Sequence, residues 1–142
     1  MSAISKSISV NAPEDQILGI ILNVEDYPSW QKEVQKVEVL EKDDQGRPKQ
    51  ATMHVSAMGQ AGYYTVEYSY PDGNVEYHLL DGDMMTKNDA SFTLAGNGGT
   101  TEVTVAMDLA IKWALPEFMV NQLILKGVKD MLKSIKTKAE QA

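Results

Sequence analysis

The sequence predicts an α+β domain in which one curved antiparallel sheet packs against a long closing helix. Apolar residues recur at every second position in a series of short stretches separated by turn formers. The chain then ends in a long stretch whose apolar residues recur at the helical period. Each side of that pattern presents a broad greasy face, and the two faces must cover one another.

Ile4, Ile8 and Val10 alternate with Ser5, Ser7 and Ser9, broken only by Lys6, which is the period of a strand with one buried face. Asn11 offers an N-cap, Pro13 suits a first helical turn, and Glu14 and Asp15 place negative charge where a helix dipole favours it. Ile17, Leu18, Ile21 and Leu22 follow at spacings of three and four, so residues 13 to 22 read as a short amphipathic helix. VEDYPSW at 24 to 30 is a connection, because Pro28 disfavours helical geometry in the residue before it and stops the first helix from continuing.

Six further strands follow. Val37 and Val39 flank Glu38, DDQGRP at 43 to 48 turns the chain, and Ala51, Met53, Val55 and Ala57 alternate with Thr52, His54 and Ser56. After Gly59 and Gly62, one face carries Tyr64, Val66, Tyr68 and Tyr70; PDGN at 71 to 74 then leads into Val75, Tyr77 and Leu79. DGDMMTKND is a looser stretch before Ala90, Phe92 and Leu94. GNGG at 96 to 99 turns into Val103, Val105, Met107 and Leu109, which alternate with Glu102, Thr104, Ala106 and Asp108. Pro116 and Glu117 open the last element, expected to run to about residue 139. On it Val120, Ile124, Val128, Met131 and Ile135 share a face with Leu125 and Leu132, opposite most of the lysines. No repeat or linker interrupts this order, so residues 1–142 read as a single domain.

Composition narrows the function classes. A chain of 142 residues with 43% hydrophobic and 23% charged residues has ordinary globular usage. ILGIIL at 17 to 22 falls short of the roughly 20 residues a bilayer span needs. MSAISKSISV lacks the continuous apolar stretch of a secretory signal, so cytoplasmic localisation without stable membrane insertion is the expectation. With no cysteine there are no disulfides, thiolate metal ligands or cysteine nucleophiles. A net charge of −7 repels phosphate backbones, and nucleic acid is not an expected partner. Lys126, Lys129, Lys133, Lys136 and Lys138 either complement the negative end of a helix or form a docking face for an acidic partner.

Taken in order, APEDQI after the first strand, DYPSW before the second and a final helix opening at Pro116 resemble the START-like (SRPBCC) superfamily. Within it the chain is similar to the polyketide cyclase/dehydrase branch, Bet v 1-like in fold, and to small actinobacterial members in particular. The resemblance spans essentially the whole chain. It implies a helix-grip fold: a seven-stranded curved antiparallel sheet around a long C-terminal helix, with a cavity between them. Members of that superfamily hold lipids, sterols, polyketides, quinones or other apolar molecules there. Some cyclise or dehydrate them, and others act as regulators or partners, so fold alone selects no activity.

The residues expected to line such a cavity are Tyr27, Trp30, Met53, Tyr64, Tyr68, Tyr70, Tyr77, Phe92, Met107, Trp113, Asn121, Ile124 and Val128. Tyr27 and Trp30 either cover the open end of the sheet, with Trp30 as a lid, or fill a corner of the core. Trp113 carries the same two readings. The tyrosines and Asn121 are the inward polar groups, suited to orienting a mostly apolar ligand; the Asn121 amide, set in the apolar sector of the last helix, needs a partner. Access is expected near Trp30, Met84, Met85 and Trp113.

No catalytic residue, metal site or cofactor is expected. His54 stands opposite Met53 and Val55, His78 stands opposite Val75, Tyr77 and Leu79 if that strand is regular and would be reversed by a bulge, and Glu67, Glu76, Glu102 and Asp108 alternate away from the apolar face toward the wet side. AGNGGT at 95 to 100 lacks the lysine of a phosphate loop, and the DGD at 81 to 83 has Phe92 where a calcium loop needs its bidentate carboxylate. The first reading is therefore binding or carriage of an apolar small molecule. The alternatives are a cyclase or dehydratase acting on a polyketide-like substrate, and an interaction module with a closed interior; the oligomeric state is open.

Overall fold

A computed structural model describes residues 4–57, 60–83, 85–112 and 115–141. Seven strands, β1 (Ile4–Val10), β2 (Val34–Lys42), β3 (Pro48–Ala57), β4 (Gln60–Ser69), β5 (Val75–Gly82), β6 (Met85–Asn97) and β7 (Thr100–Ile111), form one sheet in the order β1-β7-β6-β5-β4-β3-β2. Every neighbouring pair is antiparallel. Helix α1 (Glu14–Leu22) and a 3-10 helix (Val24–Ser29) link β1 to β2, and α2 (Glu117–Glu140) closes the chain. Among the described residues no helix is long and apolar enough to cross a membrane.

Strand alternation sets the inner face. Ala51, Met53, Val66, Tyr68, Val75, Tyr77, Ala90, Phe92, Val103 and Val105 are buried, as the period of two requires. Helix α2 lies against β1 and β7 and touches α1, while the 3-10 helix packs on β2. The largest buried groups of the inner face join Ile17, Ile21, Ile124 and Ile135 in one core. The β6–β7 turn needs its glycines: Gly98 and Gly99, between Asn97 and Thr100, both have positive φ, 64° and 94°, the two-residue hairpin geometry that side chains resist.

Three local expectations change. The N-cap of α1 is Pro13, and the Asn11 amide instead donates to the Glu140 carboxylate at 2.9 Å, tying the start of α1 to the end of α2. Helix α1 ends at Leu22, with the Asn23 amide donating to the Gly19 carbonyl, and Pro28 sits inside the 3-10 helix; the proline shapes the second turn and does not terminate the first. The stretch after Met85 is strand, belonging to β6, although its β5 neighbour pairs with it only from Val75↔Phe92 to Tyr77↔Ala90.

Candidate ligand-binding site

The inner face gathers phenols. Tyr64 and Tyr68 project from β4, Tyr70 follows just after its end, Tyr77 comes from β5, and the 3-10 helix brings Tyr27 into the same core. Tyr68 stacks in parallel on Tyr70 at 6.3 Å between centroids and meets Tyr77 edge-on at 5.6 Å; Tyr77 in turn lies 6.4 Å from Phe92. Tyr27 donates its hydroxyl hydrogen to the Ile21 carbonyl, and Tyr70 donates to the Pro48 carbonyl. Among the described residues the hydroxyls of Tyr64, Tyr68 and Tyr77 have no such partner.

Burial is the main cause that raises all five phenols above their ordinary value. Tyr64 and Tyr70 are pushed up to about 12, and Tyr27, Tyr68 and Tyr77 go well above 10, helped by the proximity of the other phenols. Tyr64 combines this desolvation with partial exposure: it is half-buried against the same core.

The predicted lining divides clearly. Tyr27, Met53, Tyr68, Tyr77, Phe92, Ile124 and Val128 are buried, and Trp30, Tyr64, Tyr70 and Met107 are half-buried against the same core. Trp30 meets Tyr27 edge-on at 5.2 Å, placing both aromatics at the corner between the 3-10 helix and β2. Trp113 and Met84 lie outside the described residues. Asn121 is a correction: it is exposed. The buried line of α2 runs through Ile124, Val128, Leu132, Ile135 and Ala139; in the turn before it Val120 still packs partly on the core, while Phe118 is 64% and Met119 37% exposed.

Two enclosed amides were not singled out in the sequence. Asn88, only 4% exposed, has the inward parity of Ala90, Phe92 and Leu94 on β6, and its Oδ1 has no hydrogen-bond partner among the described residues. Gln31, next to Trp30, has an enclosed Nε2 that is also unpartnered. Leaving such a group unpaired costs about 1–3 kcal/mol. Parity was the available signal for Asn88, but it sits in the stretch read as loose. Asp108 is a second correction. It faces away from the inner side as expected but is buried, under Lys87, whose Nζ reaches its Oδ2 at 2.8 Å.

Two hollows open on the surface. One, of about 390 Å³, lies at the rim beside the β2–β3 turn; Tyr68 and Tyr70 form its back wall, and Glu41, Asp43, Arg47 and Lys49 its edge. Arg47 lies over the Tyr70 ring at 4.1 Å and is paired with Asp43 at 2.8 Å. This rim is at the end of β4 opposite Trp30. The second hollow, of about 420 Å³, is on the outer face among Ser69, Glu76, His78, Asp89, Ser91 and Asp108. Both histidines are on that outer face: His54 is 2.7 Å from Glu38, and His78 is 3.5 Å from Glu67. Among the described residues no cluster of three or more histidine or carboxylate groups is arranged to hold a metal.

A seven-stranded antiparallel sheet gripping a C-terminal helix, with apolar and phenolic side chains between the two, defines a START-like domain. The chain belongs to the family described as polyketide cyclase / dehydrase and lipid transport, whose pattern its residues 10–136 match. It is similar over 99% of both chains to a START superfamily protein from Mycobacterium smegmatis, at 28% identity and a TM-score of 0.93. It shares the fold of the Zhui aromatase/cyclase from Streptomyces sp. R1128, at 16% identity and a TM-score of 0.79 over 98% of this chain and 93% of that one. A STAR-related lipid transfer protein from Xanthomonas axonopodis has the same fold, at 16% identity and a TM-score of 0.71 over 96% and 84%. No curated protein matches the sequence.

Proposed function

We propose that the protein binds and carries an apolar small molecule in the concavity between the sheet and α2. The observation that carries this reading is the set of inward phenols, above all Tyr64, which is desolvated yet only half-buried against the core. Aliphatic and aromatic walls with a few neutral hydrogen-bonding groups suit recognition of a mostly apolar guest. The guest would touch Tyr64, Tyr68, Tyr77, Met53, Met107, Ile124 and Val128, with Phe92 as floor. Trp30 and the Arg47 rim are the two ends at which it would pass.

A cyclase or dehydratase, as the name of the Streptomyces relative suggests, needs a group that moves protons at the substrate. Here both histidines are on the outer face beside carboxylates, and the inward polar groups are phenols held protonated and amides. The interaction-module alternative also loses ground, because Lys126, Lys136 and Lys138 pair with Asp130, Glu140 and Asp26. Carriage is tested by passing a total lipid extract over the purified protein and identifying retained species by mass spectrometry. Retention of a distinct apolar compound is expected. Recovery no greater than on an unrelated acidic protein would refute the reading.

A further inference from the structure

We propose that Asn88 makes the interior selective for apolar molecules that carry an alcohol or phenol hydroxyl, over the same skeletons without one. This inference rests on the binding reading above and adds to it the chemistry of the guest.

Asn88 is 4% exposed, and its Oδ1 has no partner among the described residues. The β6–β7 register is continuous from Lys87 to Asn97, so Asn88 shares the inner face with Ala90, Phe92 and Leu94, all buried. Its cross-strand partner is Leu109, part of the same apolar packing. A leucine or valine would fill this place with no unsatisfied group, whereas the amide is a liability in a closed core.

The position is also where the sheet loosens. The last rung between β5 and β6 is Tyr77↔Ala90, and Asn88 is the next inward residue of β6 beyond it. On that side the β5–β6 ladder supplies no neighbour, although the Oδ1 itself is enclosed.

An acceptor oxygen with nothing to accept calls for a donor. Rotating the amide by half a turn would present its NH₂ instead, and a hydroxyl, being both donor and acceptor, satisfies either orientation. An ether or a plain hydrocarbon leaves the oxygen unpaired. A site built to meet a hydroxyl rejects the analogue lacking one more strongly than an apolar wall rejects a change of size.

The test uses 2-naphthol and 2-methoxynaphthalene, which share one ring system and differ in the donor, with affinities measured by calorimetry on the full chain and on Asn88→Leu. The wild-type protein is expected to bind 2-naphthol on the order of tenfold more tightly than the ether. Asn88→Leu is expected to bind both with equal affinity, to hold the ether at least as tightly as wild type does, and to melt no lower. Equal binding of the two probes by the wild-type protein would overturn the hydroxyl preference while leaving the carrier reading intact. A preference that survives in Asn88→Leu would overturn the assignment to this residue. A marked fall in melting temperature on that substitution would show that the amide is satisfied within the fold, and would overturn it too. Binding of neither probe by the wild-type protein would count against both proposals.

Discussion

Alkaline titration tests whether the phenols of the concavity are held as the structure places them. The chain has six tyrosines, and every one is raised above its ordinary value. Tyr63 differs in cause: a hydrogen bond to Asp81 leads there, and burial leads in the others. At about pH 10.5 an ordinary phenol is roughly 75% ionised, whereas one at about 12 is roughly 3% ionised. The sign of the linked stability follows. Above pH 10 the unfolded chain gives up phenolic protons that the native state retains, so the unfolded state binds fewer protons and stability falls as pH rises toward the folded values. For Tyr64, raised from 10 to about 12, the loss is on the order of 3 kcal/mol once both states are ionised. Tyr27, Tyr68 and Tyr77 act in the same direction. The assay follows tyrosinate absorbance and circular dichroism together through the alkaline range. Little tyrosinate should form while the dichroism is native, and ionisation should then coincide with unfolding. Tyr64→Phe should move the alkaline midpoint upward, since the variant lacks one phenol whose ionisation opposes folding. A natively folded protein at about pH 10.5 with most of its tyrosines ionised would refute the packing described for the inner face.

Three further predictions follow from particular contacts. Ile124→Ala should cost about 2–5 kcal/mol in a denaturant titration, because the side chain is 1% exposed, while Asn121→Ala should stay within about 0.5 kcal/mol. Equal costs would mean that the buried line of α2 is misplaced. Thr101→Val should cost about 1–3 kcal/mol, since the Thr101 hydroxyl is the donor to the Ala12 carbonyl at 2.8 Å and valine leaves that buried oxygen unpaired. Finally, affinity for 2-naphthol, followed by calorimetry, should be nearly flat from about pH 6 to pH 8, because the phenols titrate above that range and the amides do not titrate; a step inside that range would show that a further group acts on the interior.

Sheet and helices were legible because both rest on periodicity, which a chain carries in plain view. Tyr68, Tyr77, Phe92 and Val105 face inward for no deeper reason than alternation about well-marked turns. What was not legible depends on where elements meet. A helical wheel puts Asn121 beside Ile124 in angle but does not fix how the helix lies on its neighbours, and there Val120 packs partly on the core while the Asn121 side chain is exposed. Asn88 failed to stand out because Met84 and Met85 are adjacent apolar residues and Lys87, Asn88 and Asp89 adjacent polar ones, so no alternation announces β6 before Ala90. Asp108 was placed on the correct face, yet its burial comes from Lys87 on the neighbouring strand and from the Asp89↔Asp108 register, both long-range facts.

The distribution of charge bears on the proposed carrier reading. The ion pairs among the described residues involve groups on the outer face, the turns or the helix surfaces, while the polar groups of the concavity are phenols and amides, neutral at ordinary pH. An unmet neutral group costs about 1–3 kcal/mol, whereas a carboxylate stripped of water and left without a partner costs several times more and forces either a shifted proton or a local rearrangement. A carrier must remain folded both with and without its cargo. Neutral donors and acceptors meet that demand: each loses one modest interaction when the guest leaves, and none becomes an isolated charge in a greasy space. A catalyst of proton transfer needs the opposite, a titrating group inside with a partner to hold its charge, and the carboxylate–histidine pairs that have this form in the present fold are turned toward solvent.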